Sequence, residues 1–259
     1  MKNKRRTSVN AVSISLYVII FVLGFASAYA VFNMPQPEIK LSPLPQKITS
    51  ASANIVAVSS FDNSGVLGTV DVQIRPSELA AKTGKVRVLI NTDPFTGIAP
   101  QESAETGVKI AENLTGKSLA DRDIVFSFNV PASVIDGPSA GAAMTVAVIA
   151  AIRSKHVRTD AVMTGTIEQD GSIGRIGGVI EKSQAAGEHN LTLFLVPTGQ
   201  SKGTYYERQI QETRRGGFIF QRVNYVPKTF DLNNFTMNNY NMETKEVATI
   251  EDAVKLMIK

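Results

Sequence analysis

The sequence predicts an α+β fold: one domain of mixed sheet and packed helices, preceded by a single N-terminal transmembrane helix. Three observations predict it. An uncharged, mostly apolar stretch follows a basic tail at the N-terminus. Strand-like and helix-like patterns then share the body. One run, Ala140–Ile152 ("AGAAMTVAVIAAI"), is apolar on every face. With 259 residues, 43% of them apolar, the chain can bury a full core.

The N-terminus carries Lys2, Lys4, Arg5 and Arg6, and no charge follows from Thr7 to Pro37. Ala11–Phe32 is 22 residues long. At about 1.5 Å per residue this reaches the ~30 Å of a bilayer core. Basic residues ahead of such a span stay in the cytoplasm. The expectation is a single-pass membrane protein with its body outside the cytoplasm. The spacing of Ala26, Ala28 and Ala30 leaves a cleaved signal peptide, and so a secreted body, as the alternative. Apolar character continues through Val31 and Phe32, which favours the uncleaved anchor. Four of the eleven prolines fall in residues 33–50, an extended tether. The divisions expected are 1–32 (tail and anchor), 33–52 (tether) and 53–259 (domain).

Within the body, Ile55–Ser59, Gly65–Ile74 and Lys85–Asn91 read as strands, and Thr92–Gly97 as a turn. Gln101–Leu114 has acids early and apolar residues at Ala104, Val108, Ile110 and Ala111, the pattern of a helix. Asp123–Val130 is another strand. Ala140–Ile152 is too long for an ordinary strand and predicts a helix buried on most sides. Two short strands flank a turn at Asp170-Gly171. A helix follows over Gly178–His189, a strand over Leu191–Pro197 and a last helix over Ile250–Ile258. Residues 198–249 give no clear pattern, and "RRGG" at Arg214–Gly217 reads as a loop.

Composition excludes several function classes. The chain has no cysteine, so disulfides, thiolate metal sites and a cysteine nucleophile are ruled out. Two histidines, His156 and His189, are too few for a histidine metal cluster, and no metal or organic cofactor is expected. The net charge of +4 comes from the N-terminal tail. Outside those four cations the 27 basic residues reduce to 23, matched by 23 acidic ones, so no nucleic-acid partner is expected.

The chemistry centres on "DGPSAG", Asp136–Gly141. Ser139 ahead of an apolar helix is the position of an N-cap. It is also where a nucleophile would lie beside free backbone N–H groups that can hold an oxyanion. Gly137–Gly141 fits the G-x-S-x-G elbow of α/β-hydrolases. That template needs a histidine; His189, at a helix end after Asp160 and Asp170, and His156, in a polar connection, leave such a triad open but make poor members of it. Lys182 is the other candidate base. It must be desolvated to lose its proton near neutral pH.

"DGPSAGAAMTVAVIAAI" followed by "DAVMTGTIEQDGSIGRIGGVIEKSQAA" resembles the proteolytic domain of Lon proteases. The resemblance places the catalytic serine at Ser139 and the catalytic lysine at Lys182, 43 residues apart, the family spacing. "MTG" at Met163–Gly165 matches the segment whose threonine positions the lysine, here Thr164. "QES" at Gln101–Ser103 matches the start of a family helix, and "TIEDAV" at Thr249–Val254 is similar to the domain's end. Residues 53–200 carry the likeness best. Two positions depart from the family: Thr166 replaces an acid and Ile180 replaces a lysine.

The resemblance implies a Ser–Lys serine endopeptidase that cuts peptides or unfolded proteins. Backbone N–H groups around Asp136, Gly137, Pro138 and Ser139 would form the oxyanion region, with Asp136 shaping the loop. The layout is similar to short membrane-anchored archaeal Lon-like proteins without an ATPase module, and Lon-type domains commonly assemble as homo-oligomeric rings. A catalytically silent peptide-binding or scaffold module is the alternative, since some Lon-like folds lack the dyad.

Overall fold

The computed structural model describes residues 21–27, 29 and 47–259. The chain divides into two units, Met1–Leu44 and Pro45–Lys259, and each is taken by itself. In the first, residues 21–27 and 29 are helical, with Phe21, Val22, Leu23 and Phe25 exposed. Most of the expected 11–32 span and of the 33–52 tether lies outside the described residues. Among those described, no helix is long and apolar enough to cross a membrane.

The second unit begins with a hairpin of β1 (Thr49–Val58) and β2 (Gly65–Pro76). Residues 49–52, assigned to the tether on composition, already pair in this sheet; Thr49 lies opposite Ile74. Then come α1 (Glu78–Thr83), β3 (Arg87–Ile90), β4 (Phe95–Thr96), α2 (Ile98–Thr115), β5 (Arg122–Asn129) and β6 (Val134–Ile135). A single 3-10 turn, Pro138–Ala140, leads into α3 (Gly141–Arg153). β7 (Ala161–Met163), β8 (Thr166–Ile167), β9 (Ile173–Gly174), α4 (Val179–Glu188) and β10 (Leu193–Pro197) follow. The chain closes with β11 (Lys202–Arg215), β12 (Phe218–Asp231), α5 (Leu232–Tyr240), β13 (Glu243–Val247) and α6 (Ile250–Met257).

Seven strands form one mixed sheet in the order β13-β10-β7-β1-β2-β5-β3. The parallel run β1, β7, β10, β13 meets the antiparallel pairs β1–β2 and β2–β5. Alternation assigns the two faces. Ala51, Ala53 and Ile55 of β1 and Ile124, Phe126 and Phe128 of β5 join the core that holds α2, α3 and α6. Val56, Val162, Phe194 and Val196 face a second cluster with Ala186 of α4 and Leu232 of α5. Every residue of α3 from Gly141 to Ala151 is buried, as its all-round apolar sequence requires. Each large side chain buried there contributes about 1.5–3 kcal/mol.

The hairpin expected at Asp170-Gly171 is present as β8–β9. The strand expected at Lys85–Asn91 is confined to Arg87–Ile90. Elements that gave no sequence pattern include α1, α5, β13 and the long β11–β12 hairpin. "RRGG" is the end of β11 and the turn of that hairpin rather than an irregular loop.

Candidate active site

Three segments meet at the end of the sheet where β7 terminates: the 3-10 turn before α3, residues Thr164 and Gly165 after β7, and the first turn of α4. The turn is pinned to the strand end by backbone geometry. Gly165 N–H and the Thr164 hydroxyl both donate to the Ser139 carbonyl, at 2.9 and 3.2 Å, and Ala142 N–H donates to the Gly165 carbonyl at 3.1 Å. From the other face of the sheet, α4 presents Lys182, only 4% exposed. Its Nζ lies 2.8 Å from Ser139 Oγ and 3.4 Å from Thr164 Oγ1. The structure therefore brings Ser139, Thr164 and Lys182 into one hydrogen-bonded group.

Ser139 is not an N-cap. It sits inside the 3-10 turn behind Pro138, and neither that turn nor α3 has a side-chain cap. The residue at the boundary is Gly137, with φ 91° and ψ 148°, a backbone region essentially restricted to glycine. That conformation turns the chain into the helix and leaves the serine hydroxyl for Lys182.

Burial pushes the Lys182 ammonium down to about 8, partly opposed by the neighbouring Glu181 carboxylate. At 2.8 Å the charged form donates to Ser139, and the neutral form can accept the Ser139 proton. Thr164 fixes this direction. It accepts an N–H from Lys182 while donating to the Ser139 carbonyl, so the neutral amine's one lone pair is free for the serine.

In the segment expected to hold an oxyanion, not every residue offers a free N–H. Pro138 has no N–H, and Gly137 N–H donates to the Asp136 carboxylate at 2.8 Å. The N–H groups of Ser139 and Ala140 precede the first bond of the turn, from Gly141 N–H to the Pro138 carbonyl. Asp136 also lies against Gly97, whose missing Cβ makes room for its carboxylate. The parallel β4–β6 pair produces this approach, with Phe95 beside Val134 and Thr96 beside Ile135. A shallow cleft runs along it, lined by Phe95, Gly97, Ile98, Gln101, Glu102 and Asp136.

The "QES" segment acts through contacts that its sequence does not display. Gln101 Nε2 donates to the Thr96 carbonyl at 3.2 Å, tying α2 to β4. Ser103 is buried against Gly141 at the start of α3. No spacing rule exposes such a contact. Of the departures from the family, Thr166 donates to Glu168 at 2.9 Å, and Ile180 packs against the second cluster.

The histidine alternative finds no support in the geometry. His189 Nδ1 lies 2.8 Å from the Ala185 carbonyl at the far end of α4, and His156 is exposed beyond α3. Asp160 is engaged by Arg158 and Thr192, and Asp170 by Ser172.

Residues 97–228 match the family model of the Lon protease (S16) C-terminal proteolytic domain. The chain is 33% identical over 125 residues to a Lon protease of Phenylobacterium zucineum, covering 46% of this chain and 15% of that protein. It is 35% identical over 112 residues to one from Desulfatibacillum aliphaticivorans, 41% and 14% of the two chains. A Lon protease of Clostridioides difficile is 34% identical over 107 residues, 39% and 14%. The matched region thus spans about one seventh of the length of these relatives.

Proposed function

The chain belongs to the Lon protease (S16) C-terminal proteolytic domain family, and from that premise we propose that it is a serine-type endopeptidase acting through Ser139 and Lys182. One observation carries the reading: a lysine 4% exposed, with its Nζ 2.8 Å from a serine hydroxyl at the head of a helix.

Neutral Lys182 takes the proton as Ser139 Oγ attacks the scissile carbonyl carbon. The N–H groups of Ser139 and Ala140 stabilise the oxyanion. When the C–N bond breaks, the Lys182 ammonium returns that proton to the leaving amine, and an ester on Ser139 remains. Water then attacks the ester with Lys182 again as base, releasing the acid and restoring the serine. Thr164 orients the amine throughout. The cleft along Phe95–Gln101 receives the substrate, which we take to be a peptide or an already unfolded chain.

Three further features belong to the proposal. Ala11–Phe32 anchors the protein in a membrane, the domain faces away from the cytoplasm, and cleavage proceeds without ATP. Assembly into a homo-oligomeric ring is proposed from the family alone.

The test compares purified wild type with Ser139→Ala and Lys182→Ala in cleaving a fluorescent unfolded protein, with and without ATP. Both variants lose at least about 10³-fold of kcat/KM; equal activity in all three sinks the dyad. Mass spectrometry of the native N-terminus checks the anchor, and a chain starting near Val31 overturns it.

A further inference from the structure

We propose that the tip of the β11–β12 hairpin is a lipid-contact site that enters the headgroup region of an anionic membrane surface. The hairpin is a two-stranded sheet of its own, paired without interruption from Lys202–Asp231 to Arg215–Phe218. At about 3.3 Å per residue its 14-residue strands carry the tip roughly 45 Å from the base. Between residues 203 and 230, no side chain with a described exposure is buried.

The placement of the apolar residues selects the occupant. Midway along the hairpin one face carries an apolar pair, Ile210 opposite Val223. At the tip this changes. Phe218 and Phe220 point to one face and Ile219 to the other, with exposures of 70%, 58% and 56%. A folded protein surface can cover one side of a ribbon. A fluid apolar medium can surround both sides, and these three residues span the ~5–10 Å to which interfacial segments sink.

Charge supplies the second argument. Residues 208–225 hold four arginines against one glutamate, whereas the chain beyond its N-terminal tail is formally neutral. The glutamate, Glu212, accepts a hydrogen bond from Gln221. Arginine beside an apolar tip keeps its guanidinium at headgroup level while its stem follows the apolar residues down. Each such cation strengthens attachment to an anionic surface about fivefold, equivalent to ~1 kcal/mol. The cation excess therefore points to anionic lipid in particular.

The chain has no tryptophan, so Phe218→Trp in the full-length protein is a unique reporter. With vesicles containing phosphatidylglycerol, its emission shifts to the blue and is quenched by brominated acyl chains. Phosphatidylcholine vesicles give neither response, and Tyr206→Trp, near the base, stays unshifted in both. Adding Arg214→Glu and Arg222→Glu lowers the quenched fraction of Phe218→Trp about tenfold or more. Ser139→Ala leaves the response unchanged, so the outcome is independent of the proposed peptidase. An unresponsive tip overturns the proposal. So does an equal response to both vesicle types, or a blue shift without lipid that grows with protein concentration, which would mark a second copy as the occupant.

Discussion

Lys182 can accept a proton only when neutral, and burial sets how often that is so. With its ammonium pushed down to about 8, about one molecule in ten is neutral at pH 7. The kcat/KM for peptide cleavage therefore rises with pH and levels off above about 8. A profile already flat between pH 6 and 9 would exclude Lys182 as the base. The same burial weakens the fold. Folded Lys182 gives up its proton near 8 rather than at 10.5, which costs about 3 kcal/mol wherever both states are protonated. That cost is complete below pH 8, shrinks between 8 and 10.5, and vanishes above. Lys182→Met keeps the stem and removes the charge, so it should be about 2–3 kcal/mol more stable than wild type at pH 7 but not at pH 11. Urea unfolding at the two pH values measures this, and an equal advantage at both would refute the linkage. The dyad was legible in the sequence through its resemblance to the Lon proteolytic domain, whose ordered segments place the serine at Ser139 and the lysine at Lys182. What Ser139 does at its helix was not. A serine before an apolar run looks like a cap, yet in the folded chain Gly137 takes the boundary and Ser139 moves inside the turn.

The position of Lys182 depends on α4, and α4 depends on how closely it approaches the sheet. Gly65, the first residue of β2, faces the Glu181 carbonyl so closely that a Cβ would collide with it and crowd Ala185 as well. Gly65→Ala must therefore push the first turn of α4 outward and lengthen the contact between Lys182 and Ser139. Overpacking of this kind costs about 1–3 kcal/mol. We expect a larger loss in kcat than in KM, since the cleft lies on other elements. Unaltered kcat in a stably folded variant would show that α4 yields without moving the lysine. The helices α2, α3 and α4 were legible because their burial patterns are simple: a stripe for α2, complete burial for α3. α5 was not. "LNNFTMNNY" is poor in helix formers, and the helix is secured by Asp231, whose carboxylate accepts from Asn234 N–H, and by burial of Leu232 and Thr236.

Across the whole domain, stability and reach are assigned to different parts. Among the described side chains, the two apolar clusters on either side of the seven-stranded sheet include none from β11, and from β12 only the partly buried Phe230. The hairpin had no sequence signature for the same reason. Without a buried face, its pattern carries no core-facing alternation for a reader to find. It joins the body at its base, where Leu232 N–H donates to the Ser201 carbonyl at 2.7 Å and Lys202 pairs with Asp231 at 3.1 Å. Two exposed strands on their own are marginally stable in water, so they draw order from the domain and return little to it. Joining Gly203 to Phe230, which are partners across the ribbon, through an Asn-Gly turn removes the arm while keeping its base. The shortened chain should unfold within about 1 kcal/mol of wild type and cleave a short peptide at an unchanged rate. A loss above about 3 kcal/mol would mean that the arm packs on the body in solution. A selective loss of cleavage at unchanged stability would place the arm over the cleft instead.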